Sequence, residues 1–114
     1  MIKGTFKRND SGQIVSFTLT GHAEAGPYGS DIVCAGVSAL AISTINGINA
    51  LAGTEPSVEA NEDEGGYLRM SLVSGLTQEQ TNIEQILLEN LLLGLQSIEK
   101  EQSEYIQIST IIEK

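Results

Sequence analysis

Hydrophobic and polar residues alternate at the start of the chain, where residues 1–21 read MIKGTFKRNDSGQIVSFTLTG. Val15, Phe17 and Leu19 are separated by serine and threonine, which is typical of a strand with one buried face. The tetrapeptide NDSG at 9–12 favours a tight turn, because Asn, Asp and Gly tolerate the backbone angles that such turns need. The pattern therefore predicts an N-terminal β-hairpin.

A loop over residues 22–30 and a long apolar helix are predicted next. Residues 31–53, DIVCAGVSALAISTINGINALAG, are apolar or small nearly all round a helix, and Gly53 ends the pattern. The run is long enough to span a bilayer, but its serine, threonine and asparagine residues favour a core helix instead. We therefore expect a central helix that is covered on most sides, and neither a membrane span nor a signal peptide.

The second half of the chain repeats the order of hairpin and helix. Residues 57–73 predict a hairpin that turns at EDEGG, and residues 77–101 predict a helix whose N-terminus carries the capping-box pair Thr77 and Gln80. Residues 104–112 predict a last strand. The order ββαββαβ indicates one α+β domain over residues 1–114, with a mostly antiparallel sheet and two helices packed on it.

The apolar stripe of the second helix is wider than one packing face needs. It consists of Ile83, Ile86, Leu87, Leu91, Leu95 and Ile98, widened by Leu88, Leu92 and Leu93. Burial inside the monomer and a homodimer interface explain this width equally well.

Composition narrows the class of protein. The net charge is −9, from 15 acidic and 6 basic residues, and such a surface repels nucleic-acid phosphates. It favours a basic partner, although solubility alone also accounts for it. The single cysteine excludes an intrachain disulfide, so we expect a reducing, cytoplasmic environment.

The segment 21–40, GHAEAGPYGSDIVCAGVSAL, contains the chain's only histidine and only cysteine. If Ser30 or Asp31 caps the first helix, Cys34 lies in its first turn, where unpaired N–H groups and the helix dipole stabilise a thiolate. His22 would then pair with this thiolate or act as its general base. Asp31 caps the helix, orients His22, or does both.

Other residues of the segment could support a reactive site. Gly21, Gly26 and Gly29 would let the loop bend and close over a substrate, although plain turn chemistry explains them too. Ser38 lies one helical turn beyond Cys34 on the same face and either supports the site or bonds its own backbone.

Each reactive residue also has a simpler interpretation. A lone cysteine is usually a small buried apolar residue, and a lone histidine is often a surface or capping residue. A zinc site is the rival chemistry, but His22, Cys34 and Asp31 are too few for a closed structural site. We therefore expect neither a metal nor another cofactor.

The same segment resembles the ribosomal-processing cysteine protease (Prp) family. The family pattern is Gly-His-Ala, a short glycine-containing loop, Asp-Ile-Val-Cys-Ala and a helix of small residues. This chain matches it at Gly21, His22, Ala23, Gly26, Gly29, Asp31, Ile32, Val33, Cys34, Ala35 and Ser38. The resemblance extends in layout over the whole chain.

The resemblance implies a concrete function. Family members are cytoplasmic, homodimeric proteases that remove an N-terminal extension from large-subunit ribosomal protein twenty-seven, after an aromatic residue. It implies that Cys34 is the nucleophile and His22 the general base. The alternative is a non-enzymatic ribosome-assembly factor that binds the same basic protein and needs the acidic surface but not the thiol.

Overall fold

The computed structural model describes residues 1–21, 27–61 and 66–113, without the side chains of residues 27–31. Its elements follow the predicted order and confirm the α+β class. They are β1 (Ile2–Arg8), β2 (Ile14–Thr20), α1 (Pro27–Gly47) with a π-helical continuation (Ile48–Ala52), β3 (Ser57–Asn61), β4 (Tyr67–Ser71), α2 (Gln78–Glu101) and β5 (Ile106–Ile112).

The five strands form one mixed sheet in the order β3-β4-β2-β1-β5. The pairs β3–β4, β4–β2 and β2–β1 are antiparallel, whereas β5 pairs parallel with β1. The first hairpin turns as expected: the Asn9 side chain accepts from the N–H groups of Ser11 and Gln13, and Gly12 has a φ of 84°. The turn predicted at EDEGG falls largely outside the described residues.

The alternation of the strands separates a core face from a solvent face. Phe6, Phe17 and Met70 lie opposite one another on β1, β2 and β4 and are fully buried, with the two phenylalanine rings 5.5 Å apart. The leucines of α2 complete this core, namely Leu88, Leu91, Leu92 and Leu95. Of the nine residues of the wide stripe, these four are therefore buried inside the chain, three are half-buried, and Ile86 and Leu93 remain exposed.

The predicted start of α2 and the predicted end of the first helical run are both confirmed. The capping box of α2 is confirmed, since the Gln80 N–H donates to Thr77 Oγ1 at 3.1 Å and the Thr77 N–H donates to Gln80 Oε1 at 3.0 Å. Gly53 ends the first helical run in the left-handed region, at a φ of 68°, as the sequence indicates.

The start of α1 differs from the prediction. The helix begins at Pro27, so residues 27–30 are helical and Gly29 is not a loop hinge. Proline favours the first position of a helix because its φ is preset and it has no N–H to leave unpaired. Cys34 is consequently the eighth helical residue, beyond the first turn in which N–H groups lack an acceptor. The expectation that it lies at the helix N-terminus was wrong.

Fewer residues of α1 are buried than the sequence predicted. The helix packs closely on α2, where Gly36 and Gly47 face Ile98 and Leu87, but among Ile32–Ala52 only 28% of residues are buried. Ile32 and Ile42 are largely exposed. By length and composition this stretch, with a mean hydropathy of 1.6, would also pass as a membrane span, as core helices of soluble proteins do. One face of α1 is therefore open in the isolated chain.

Candidate active site

A cleft of about 490 Å³ lies between α1 and the end of the sheet where β2 ends and β4 begins. Residues from three parts of the chain form its walls: Ile2, Leu19, Thr20 and Gly21; Cys34, Val37, Ser38 and Ile42; and Ala60, Gly66, Tyr67 and Leu68. None of these described lining residues carries a formal charge. The cleft has the size and apolar character of a site that accepts a side chain or a small ligand.

Helix α1 places the cysteine in this cleft. Cys34 is partly buried, and Ser38 follows it one turn later on the same wall, as the helical spacing predicts. Val37, between them, is buried in the core and holds this face of α1 in place. The thiol is thus presented from a rigid element to a solvent-accessible cavity.

Gly21 forms the end of the opposite wall. Its φ of 87° lies in the left-handed region, and its N–H donates to the Gly66 carbonyl at 3.0 Å. A Cβ at this position would overlap the Met1 carbonyl oxygen. Gly21 therefore fixes the chain where β2 leaves the sheet, which is a different role from that of a hinge.

The structure brings Cys34, Ser38 and Gly21 together at one cleft. His22 and Gly26 lie outside the described residues, and so does the side chain of Asp31, whose backbone is helical. Their predicted roles stay predictions. Within the described ranges no group of three His, Cys, Asp or Glu residues is arranged to hold a metal, and the zinc alternative involves residues beyond those ranges.

Sequence analysis did not identify the third wall of the cleft. Ala60, Tyr67 and Leu68 come from β3 and β4, more than twenty residues beyond Cys34 in the chain. The pairing of β4 with β2, in which Tyr67 lies opposite Thr20 and Leu68 opposite Leu19, brings them to the cysteine. The only sequence signal was the alternation of β4, which does not reveal the partner strand.

Comparison with known proteins identifies the family. The family described as cysteine protease Prp matches residues 1–107 of the chain. The ribosomal processing cysteine protease Prp of Bacillus subtilis (strain 168) is 36% identical over 112 residues, which cover 98% of this chain and 99% of that protein. The chain belongs to the cysteine protease Prp family. It is a cysteine protease, and the resemblance noted from the segment 21–40 is confirmed.

Solved structures of similar proteins share the fold. SMU.848 from Streptococcus mutans has a TM-score of 0.88 at 36% identity, with 99% of this chain and 96% of that chain covered. The Prp protease of Staphylococcus aureus has a TM-score of 0.78 at 35% identity, covering 97% of this chain and all of the other. That structure is a complex with a covalently linked product peptide.

Proposed function

We propose that this Prp-family member is an endopeptidase that removes the N-terminal extension of large-subunit ribosomal protein twenty-seven during ribosome maturation, with Cys34 as nucleophile. One observation carries the proposal: the only cysteine of a chain in a cysteine protease family stands on the wall of an apolar cleft. The covalently linked product peptide of the Staphylococcus aureus relative supports a covalent mechanism.

The proposed reaction is acyl transfer. The Cys34 thiolate attacks the scissile carbonyl carbon, and the C–N bond breaks as the His22 imidazolium gives its proton to the leaving amine. Water then attacks the thioester while His22 takes a proton from it, which releases the acid and restores the thiolate. Because backbone N–H groups around Cys34 are bonded within α1, the oxyanion is held by side-chain donors or by N–H groups outside this helix.

The cleft and the net charge fit the proposed substrate. Leu19, Ile42 and Leu68 provide apolar contacts for the aromatic side chain that precedes the cleaved bond. The net charge of −9 attracts a basic ribosomal protein and speeds its association. A ribosomal substrate also places the enzyme in the cytoplasm, with no need for direct contact to nucleic acid or membrane.

A homodimer is part of the proposal. The buried leucines of α2 are accounted for within the chain, but Ile86 and Leu93 on α2 and Ile32 on α1 are 69%, 62% and 73% exposed. A second copy that covers this helical surface would remove these side chains from water. Light scattering at micromolar concentration should show a dimer, and a monomer alone would contradict this part of the proposal.

The function is tested with a synthetic peptide that spans the extension and the cleavage site, with products identified by mass. The wild-type protein should cut once, after an aromatic residue, and Cys34→Ala should not cut. Ser43→Ala, a change at an exposed α1 position outside the cleft lining, is the matched control and should cut normally. Cleavage by Cys34→Ala at the wild-type rate would reject Cys34 as the nucleophile.

A further inference from the structure

We propose that the main chain of the substrate adds as an extra strand to the open edge of β3, in a trough between β3 and α1 that leads to Cys34. This inference rests on the proposed function and adds a binding mode and a surface to it.

One face of α1 forms the first wall of the trough. Cys34, Ser38 and Ile42 line the cleft, and Ile45, Asn46 and Asn49 line a groove of about 380 Å³ that continues along the same helix. The spacing of these residues places them on successive turns of one face. From residue 34 to residue 49 the helix rises roughly 22 Å, which matches an extended peptide of about six or seven residues.

Strand β3 forms the second wall. Ala60 lines the cleft beside Cys34, and Val58 lines the groove together with Glu55 and Pro56. Strand β3 therefore runs alongside α1 from the groove to the cysteine. All five of its residues are exposed, although it belongs to the sheet.

Some backbone N–H and C=O groups of β3 point away from β4, toward the open edge of the sheet. The N–H of Leu72 donates to Val15, and the Gly66 carbonyl accepts from Gly21, so the even-numbered residues of β4 bond to β2. The odd-numbered residues of β4 must then bond to β3, where they lie opposite Ser57, Glu59 and Asn61. The N–H and C=O groups of Val58 and Ala60 consequently point away from the sheet.

The side chains of β3 show which way the added strand would face. Val58 and Ala60 lie opposite Met70 and Leu68, on the side of the sheet that the helices cover. A peptide paired with β3 would direct alternate side chains to the same side, into the trough. The carbonyl beside one of these side chains would thereby reach the cleft that contains Cys34.

At the opposite edge of the sheet, one outward N–H is already bonded to a side chain. On β5, which bonds to β1 through its odd-numbered residues, the outward N–H of Ile108 donates to Glu99 Oε2 of α2 at 2.7 Å. An extended peptide is the occupant that the β3 edge fits, because of the two edges only this one borders the cleft that contains Cys34. No hydrogen bond to the outward groups of Val58 and Ala60 is found among the described residues. The Prp protease of Staphylococcus aureus has been solved in complex with a substrate peptide.

Methylation of single amides of the substrate peptide tests the inference without altering the protein. An N-methyl group on an amide that bonds to β3 should lower kcat/KM roughly 3- to 10-fold, the value of one hydrogen bond, whereas methylation of the neighbouring amides should have less effect. The expected result is a loss that alternates with a period of two residues. A flat profile would overturn the added strand.

A substitution in the protein gives the complementary test. Ala60→Pro removes an outward N–H, which an edge strand tolerates, and should raise KM while the folded structure, measured by circular dichroism, is retained. Thr110→Pro removes an outward N–H from β5 and is the matched control, with no change in KM expected. Equal effects of the two variants on KM would contradict the inference.

The failure of this inference can be told apart from the failure of the proposed function. Binding of the same methylated peptides is measured by calorimetry in the Cys34→Ala background. A peptide that binds with the alternating pattern but is never cut by wild type contradicts the proposed cleavage alone. A peptide that is cut with no alternation contradicts the added strand alone, and a peptide that is neither bound nor cut contradicts both.

Discussion

The two edges of the sheet differ in what covers them. At the β5 edge, carboxylates of α2 reach the sheet: Glu99 accepts from the Ile108 N–H, and Glu89 accepts two hydrogen bonds from Arg8 at 2.6 and 2.9 Å. At the β3 edge, α1 stands apart from the strand and leaves a trough that contains Cys34. Open edges invite pairing with another chain. In this fold an α2 carboxylate bonds one outward N–H of β5, whereas the edge beside Cys34 has no such contact among the described residues.

This difference predicts that substitutions beside the trough change catalysis, whereas substitutions at the β5 edge change stability alone. The largest effect is expected for His22→Ala, because the family resemblance implies that His22 is the general base. Loss of a general acid and base should lower kcat/KM by about 10²- to 10⁴-fold with the fold intact, as measured by peptide cleavage and circular dichroism. Full cleavage by this variant across the neutral pH range would exclude the Cys–His pair.

Gly21→Ala should reduce both stability and activity. The substitution strains a residue with a φ of 87° and drives a methyl group into the Met1 carbonyl, so we expect a loss of about 2 kcal/mol or more in urea unfolding. Gly12→Ala is the matched control, because its φ is 84° but it has open space around it, and it should lose only about 1 kcal/mol. Equal losses would show that the contact with Met1 is unimportant.

Glu99→Ala should expose one more backbone N–H on the β5 edge. It leaves the Ile108 N–H without its acceptor, so we expect a loss of about 1–2 kcal/mol in unfolding free energy and more aggregation, with kcat/KM unchanged. Glu101→Ala, at an exposed position of the same helix, is the control. A change in kcat/KM with Glu99→Ala would contradict the prediction that substitutions at the β5 edge change stability alone.

Two carboxyl groups of α2 should give opposite pH dependences. The hydrogen bonds from Arg8, aided by its charge, lower the pKa of Glu89, whereas burial raises the pKa of Glu84, whose Oε2 has no partner among the described residues. Glu89 therefore stabilises the fold above the ordinary glutamate pKa of about 4.3, and this contribution disappears as the pH falls through its lowered value. The contribution of Glu84 is complete below that ordinary pKa and is lost as the pH rises through its raised value.

Urea unfolding of Glu89→Gln and Glu84→Gln between acidic and neutral pH measures these contributions. Relative to wild type, Glu89→Gln should lose stability at neutral pH and little in acid, because the Arg8 pair is then already broken. Glu84→Gln should gain relative to wild type as the pH rises. The same sign for both variants would contradict the assigned environments.

The smallest effect is expected at the far end of the trough. Glu55 lines the groove, and its charge is placed to attract a basic substrate residue, so Glu55→Gln should raise KM about twofold at low salt and less at high salt. Glu59→Gln is the control, since Glu59 lies on the other face of β3 opposite Arg69. Equal effects of the two changes would indicate general charge attraction.

Local patterns predicted most of the fold. The alternation of Val15, Phe17 and Leu19, the turn at NDSG and the capping box at Thr77 each depend on neighbours in sequence, and each was found. The start of α1 was missed because Pro27 and Gly29 suit a turn as well as the first turn of a helix. Local chemistry could not separate these two outcomes.

The candidate site was predictable only in part, for a different physical reason. Cys34, Ser38 and Gly21 belong to one segment and do meet at the cleft. The wall opposite Cys34 depends on which strand pairs with β2, and the outward groups of Val58 and Ala60 depend on the register of β3 with β4. Pairing and register are long-range properties that alternation alone does not encode.

Hydrogen exchange with a covalently held peptide tests the central claim most directly. A peptide that carries a chloromethyl ketone in place of the scissile bond is reacted with the protein, and intact mass should show a single adduct that Cys34→Ala lacks. The backbone amides of Val58 and Ala60 should then exchange more slowly than in the unreacted protein, whereas that of Thr110 on β5 should be unchanged. An adduct on Cys34 with no slowing on β3, or with slowing on β5, would contradict the account.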